Sequence, residues 1–192
     1  EQIECEAGAM SWMDDEIEMQ TKAGGLGRMF GRSLKFVRCM PNTPALVGMG
    51  CTGVCCNELV TRDEMQQSLS LLQSFGLAEE VPEKLMDAVV GVSGSSPAYV
   101  FLFLEALADG AVQAGMPRAQ AYRFAAQSIM GSAALALETG KHPGELKDMV
   151  CSPGGTTIEA VQVLEDRGFR SSVMHAVSAC VERCRALSKD ET

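Results

Sequence analysis

The segment Ser152-Pro153-Gly154-Gly155-Thr156-Thr157 brings together the parts needed to hold an anion against a backbone. Pro153 fixes one dihedral, and Gly154 and Gly155 let the chain turn and come close to a ligand. Thr156 and Thr157 add hydroxyls beside the free N–H groups of a predicted helix start, a geometry that binds carboxylates. The same residue types also make a helix-capping turn, and spacing alone slightly favours the cap. Gly91-Val92-Ser93-Gly94-Ser95-Ser96-Pro97-Ala98-Tyr99 has similar logic, small residues leading into a Pro-started helix. It reads as a ligand-approach loop or, on physics alone, as an interdomain linker. Tyr99 is either a proton donor or an interface aromatic. Met40-Pro41-Asn42-Thr43-Pro44 closes a predicted strand, the place where α/β sheets bind cofactors, or else an ordinary strand-ending turn.

Other chemistry is poorly represented. No Ser/His/Asp arrangement, zinc motif or paired-carboxylate pattern stands out, and no metal site is expected. Glu105 and Asp109 lie four apart on an apolar helix, where exposure at the helix edge is the expectation because buried acids are costly unless paired. His142, beside Pro143, is expected to cap or start a helix. Gly25-x-Gly27-x-x-x-Gly31 resembles a dinucleotide fingerprint, but polar residues precede it where a buried strand is required, so it reads as a flexible linker.

The elements that must position these segments fall into two textures. Leu34 to Met40 alternates and is β-prone, and Cys51 to Cys56 reads as a second short strand. Thr61 and Glu64 form a capping-box pattern opening a helix to about Ser74 that Gly76 ends. From Pro97 onward the chain reads as helical: 98–114, Pro117 to Thr139 closed by Gly140, Pro143 to Val150, Thr156 to Asp166, and Phe169 to Ser188 after Gly168. Helices this apolar on all faces must be surrounded, and so few can hardly enclose one another, so interlocking subunits are expected.

Bulk properties exclude more than they identify. The chain has 192 residues, 46% hydrophobic and 21% charged, an ordinary globular composition. A net charge of −9 with scattered Lys and Arg argues against a nucleic-acid partner. Eight cysteines without Cys-x-x-Cys pairs or a signal peptide read as small buried hydrophobes in a reducing, cytoplasmic setting. No apolar run reaches the ~18–20 residues of a membrane span, so no membrane partner is expected.

Taken together, the segments resemble the pyrroline-5-carboxylate reductase family. The resemblance rests on Arg38-Cys39-Met40-Pro41-Asn42-Thr43-Pro44, Gly94-Ser95-Ser96-Pro97-Ala98-Tyr99, Leu107-Ala108-Asp109-Gly110, Gly115-Met116-Pro117, His142-Pro143-Gly144-Glu145-Leu146-Lys147-Asp148 and Cys151 to Thr157. They follow the family's order and cover about Gly31 to Leu187. Ser96 stands where the family commonly has glycine.

The resemblance implies reduction of the cyclic imine pyrroline-5-carboxylate to proline with NADPH or NADH, in a homodimer or larger homo-oligomer. It implies substrate binding by Ser152, Gly154, Gly155, Thr156, Thr157 and Ser95, with the carboxylate on backbone N–H groups and the Thr157 hydroxyl. Thr157 is also the candidate catalytic contact to the imine nitrogen, and Met40, Pro41, Asn42 and Thr43 are expected beside the nicotinamide.

The expected fold is mainly α, an all-helical dimerisation domain preceded by a truncated α/β remnant of Rossmann type. The parts are an irregular lead over 1–33, the remnant over 34–92, and the helical dimerisation and substrate-binding domain over 93–192. Residues before Leu34 do not resemble a Rossmann half, so a truncated reductase is expected. The alternatives are a catalytically incomplete oligomerisation module from the same family and a related imine or β-hydroxyacid reductase.

Overall fold

The alternating segment before Pro41 forms β1 (Val37–Met40), and the stretch after Gly48 forms β2 (Gly50–Cys56), antiparallel to it with Met40 opposite Gly53. The computed structural model describes residues 35–189, so the expected irregular lead, the glycine cluster and the start of the first strand at Leu34 lie outside the described residues. Thr61 and Glu64 make the predicted capping box, opening α1 (Arg62–Leu72). A one-turn 3₁₀ segment, Gln73–Phe75, follows.

Gly76 then does more than end a helix. It begins β3 (Gly76–Glu80), which pairs parallel with β2 and completes a sheet ordered β1-β2-β3. The sequence predicts two strands here, and the third is a correction. Its cause is a local approach no pattern reveals: a Cβ on Gly76 would lie 2.2 Å from the Gly50 carbonyl oxygen. Val54, Met65 and Ala78 form the buried centre between sheet and α1, with Val37, Cys39, Val60, Leu69 and Leu72 packed around them.

The Gly91–Tyr99 segment is not an extended linker. After a 3₁₀ turn at Glu83–Leu85 come α2 (Met86–Val89), a π-helical turn at Val90–Gly94, and α3 (Ser96–Gln113). The Ser95 N–H donates to the Val90 carbonyl at 2.8 Å, the long-reach bond that defines a π turn. The small residues serve packing: a Cβ on Gly91 would press on Val177 and Val181, and one on Gly94 would lie 3.0 Å from Met40 Cε. The helical run Glu83–Gln113 is, by length and composition, long and apolar enough to cross a membrane. That corrects the expectation that no apolar run is, because one helical run joins apolar residues that Gly and Ser separate in the sequence.

The remaining helices match the sequence reading closely: α4 (Arg118–Thr139), α5 (Pro143–Val150), α6 (Thr156–Asp166) and α7 (Phe169–Lys189). Gly140 closes α4 in the left-handed conformation at φ 61°. His142 caps α5, its Nδ1 accepting the Gly144 N–H at 3.1 Å.

Contacts divide the described chain into two units. One joins the residues up to Pro97 with those from Ala176 onward; the other is Ala98–His175. The first unit therefore holds most of α7, which meets the π turn through Val177 and Val181 and places Arg185 Nε 3.3 Å from Asp87 Oδ2. The boundary expected after residue 92 lies in the π turn Val90–Gly94. In the second unit the buried residues are small ones, Ala108, Ala121 and Ala125. Its large apolar residues stay open in the single chain, Leu137 at 82% and Leu102 at 67% exposure. Asp109, expected at a helix edge, is half-exposed and pairs with Arg118, whose guanidinium lies 5.5 Å from the Tyr122 ring centroid.

One charge cluster gives a pH dependence. The Lys35 ammonium donates to Glu64 at 2.6 Å, and the Thr61 N–H and hydroxyl donate to the same carboxylate. Lys35 first, then Thr61, hold the Glu64 carboxyl down from 4.5 to about 2. A carboxyl that ionises more easily when folded stabilises the fold above its unfolded pKa, and that contribution drains away as pH falls from about 4.5 toward 2. Urea midpoints measured across that range are expected to fall more steeply for the unmodified protein than for Glu64→Gln. Equal slopes would remove Glu64 from the acid response.

Candidate functional site

The turn after α5 is built by three residues with separable tasks. Pro153 and Gly154 occupy the corner, with Gly154 at φ 65°, and the Gly155 N–H closes it by donating to the Ser152 carbonyl at 3.0 Å. Proline at the first corner position and a positive-φ glycine at the second are the residues such a turn demands. Gly155 is required for another reason: a Cβ there would stand 2.3 Å from Ser152 Oγ and 3.1 Å from the Ser152 carbonyl oxygen. The turn thus folds Ser152 back over the start of α6.

Gly155 is also the N-cap of α6, and it carries no side-chain cap. The N–H groups of a first helical turn have no partner within the helix. A Ser or Thr cap would cover one of them; here the first turn is left open. The ordinary capping function, which spacing alone had slightly favoured, is therefore absent at the N-cap itself. Thr156 and Thr157 occupy the first two helical positions and are exposed, as are Ser152, Pro153 and Gly154. The positive end of the helix dipole reinforces the arrangement. On α5, before the turn, Asp148 beside Lys147 raises that ammonium above its ordinary value.

In the first unit, the predicted cofactor-side residues lie at the C-terminal end of β1. Met40 ends the strand and reaches Gly94, while Thr43 opens a 3₁₀ helix, Thr43–Val47. Asn42 is half-buried, and both its amide oxygen and its amide nitrogen bond to backbone. Its Oδ1 accepts the Cys51 N–H at 2.8 Å, and its Nδ2 donates to the Ser93 carbonyl at 3.0 Å. Ser95 follows the π turn, its hydroxyl 3.2 Å from Cys180 Sγ on α7. Met40, Asn42 and Ser95 are thus gathered around the π turn. Sequence reasoning missed the framework role of Asn42 and the placement of Cys180, and no local pattern signals either. Among the described residues, no strand leads through a glycine-rich turn into a helix.

Residues 83–187 match the family described as pyrroline-5-carboxylate reductase dimerisation. The pyrroline-5-carboxylate reductase of Escherichia coli (strain K12) is 60% identical over 164 residues, covering 85% of this chain and 61% of that protein. The reductase of Synechocystis sp. is 52% identical over 153 residues, covering 80% of this chain and 57% of that protein. Among solved structures, the Plasmodium falciparum pyrroline carboxylate reductase with NADP bound superposes with a TM-score of 0.81 at 36% identity, covering 88% of this chain and 69% of that one. The Coxiella burnetii pyrroline-5-carboxylate reductase gives a TM-score of 0.80 at 38% identity, covering 84% of this chain and 60% of that one. The chain spans 61% of the length of the first of these curated relatives.

Proposed function

The chain belongs to the pyrroline-5-carboxylate reductase family, and from that premise we propose that it takes part in reducing the cyclic imine pyrroline-5-carboxylate to proline. The observation that carries the proposal is the uncapped start of α6 behind the Pro153-Gly154-Gly155 turn. A carboxylate set there accepts first-turn N–H bonds and the Thr157 hydroxyl, while Ser152 and Thr156 border it. NADPH or NADH, when bound, supplies the hydride. The turn from Met40 to Thr43 would sit beside its nicotinamide, at a strand end of the kind that receives such rings. Reduction of an imine carbon needs no covalent enzyme intermediate. The residues hold the ring, exclude alternative poses and stabilise charge, which is how positioning lowers a barrier.

Self-association belongs to the same reading. Helices whose large side chains stay exposed in one chain gain burial from a second copy, and the matched family is described by its dimerisation. The exposed face of α3, including Phe101 and Leu102, is read as subunit interface and not as a membrane span. A reducing, cytoplasmic setting belongs to the same reading. A second reading, an oligomerisation module without its own catalysis, draws on the lack of a glycine-rich phosphate turn among the described residues.

Incubating the protein with NADPH or NADH and the imine separates the two readings. Nicotinamide oxidation that requires pyrroline-5-carboxylate, with proline formed in step, is the expected result. A dimer that leaves both nicotinamides unoxidised in the presence of the imine would sink the reductase reading and favour the module.

A further inference from the structure

Pro97 lies in the first turn of α3, where its missing N–H costs that helix nothing. The cost falls on the turn before. The carbonyl four residues earlier, on Ser93, loses the donor that an uninterrupted α-helix would supply. Buried or half-buried carbonyls without partners are expensive, and the chain supplies a substitute from far away in sequence. Asn42 Nδ2 donates to the Ser93 oxygen at 3.0 Å across a separation of 51 residues.

The other half of the Asn42 amide solves a matching problem in the sheet. Antiparallel pairing of β1 with β2 ends at Met40 opposite Gly53. Two steps further along the same register, Asn42 would face Cys51, but the chain turns away at Pro41, which has no N–H. The Cys51 N–H instead donates to Asn42 Oδ1 at 2.8 Å. One side chain therefore stands in for a missing strand partner and a missing helix donor together. Met40 adds an apolar contact to the same junction, its Cε being held close to Gly94.

We propose that Asn42 is a positioning residue, which fixes the strand-end turn at Met40–Thr43 against the π turn that carries Ser95. The proposal rests on the reductase reading above for its catalytic consequence, and on the two hydrogen bonds for its structural one. The two bonds use one N–H and one lone pair of the Asn42 amide, and both hold the protein's own backbone. Asn42 sets the distance between a segment facing the nicotinamide and a segment facing the imine, and hydride transfer is sensitive to that distance.

Asn42→Asp keeps the acceptor for Cys51 and deletes the donor to Ser93. Pro97→Ala returns an N–H to the Ser93 carbonyl. In steady-state kinetics, Asn42→Asp is expected to lower kcat roughly 10- to 100-fold, the scale of a small misplacement of reacting groups. KM for the imine should change by no more than about twofold, since the carboxylate contacts are elsewhere. Adding Pro97→Ala should recover stability in chemical denaturation, because the Ser93 carbonyl regains a donor, while kcat stays low, because the tie between the strand-end turn and the π turn remains broken. Should Asn42→Asp fail to fold, Asn42→Gln replaces it, since a one-methylene shift of the same amide is expected to lower kcat in the same way.

A kcat per folded molecule that stays unchanged, or a loss of kcat that Pro97→Ala relieves, overturns the inference while the reductase reading stands. If the unmodified protein does not oxidise nicotinamide with the imine, the reductase reading falls and the catalytic role of Asn42 falls with it. Coupled stabilities of the two sites would then still show that the hydrogen bonds exist.

Discussion

Replacing Thr157 by valine is expected to raise the KM for pyrroline-5-carboxylate roughly 10- to 150-fold. Valine keeps the shape of threonine and removes its hydroxyl. A hydrogen bond to a charged partner contributes about 1.5–3 kcal/mol, and each 1.4 kcal/mol is about tenfold in affinity. Thr157 is exposed at the second position of α6, so the change leaves helix packing alone and folding should be little affected. If the hydroxyl serves only the carboxylate, it contributes equally to ground and transition states, and kcat should hold. Thr157→Ser, which retains the hydroxyl, should behave nearly as the unmodified protein. A fall in kcat at constant KM would instead place the hydroxyl on the imine nitrogen. If neither constant moves, Thr157 has no part in the site.

Why that side chain was visible from sequence, and others were not, follows from how local each signal is. Proline, glycine and capping residues act within a few positions, so the ends of α5 and α6 and the closure of α4 at Gly140 could be read directly. The capping box at Thr61 and Glu64 was legible for the same reason. The excess of apolar surface on the helices was legible too, because it depends on composition and period. By contrast β3 is short, Gly-Leu-Ala-Glu-Glu, with only Ala78 buried, and it exists because β2 offers it a pairing edge. The π turn was obscured by its own small residues, which look like a linker until Asn42 and α7 are seen packed against them. For the candidate site, the Pro-Gly-Gly corner was legible, but the absence of a cap on α6 needed coordinates. The end of β1 at Met40 was legible from the turn residues after it, while the bonds of the Asn42 amide depended on partners at Cys51 and Ser93.

Gly76→Ala tests the least legible of these features, and the expected loss of stability is about 3 kcal/mol or more. Two separate effects combine. The residue sits at φ 151° and ψ −161°, a region essentially reserved for glycine, where a side chain costs about 1–3 kcal/mol. The added methyl would also lie 2.2 Å from the Gly50 oxygen and 2.4 Å from its nitrogen, and backbone atoms cannot rotate aside. Overpacking of this kind costs about 1–3 kcal/mol. Gly50 cannot retreat freely, because its other side faces the helix that follows Thr43: a Cβ on Gly50 would meet Ala45 Cβ at 2.9 Å. Strain at Gly76 is therefore passed through Gly50 to the turn holding Met40 and Asn42. Denaturant midpoints give the first consequence. The second is kinetic: folded Gly76→Ala protein, assayed in the cold, should show a reduced kcat with KM for the imine nearly preserved, since α6 lies in the other unit. Full stability in this variant would mean that β3 does not approach β2 as described. Normal kcat in a destabilised variant would mean that the cofactor-side turn does not depend on the Gly50–Gly76 contact.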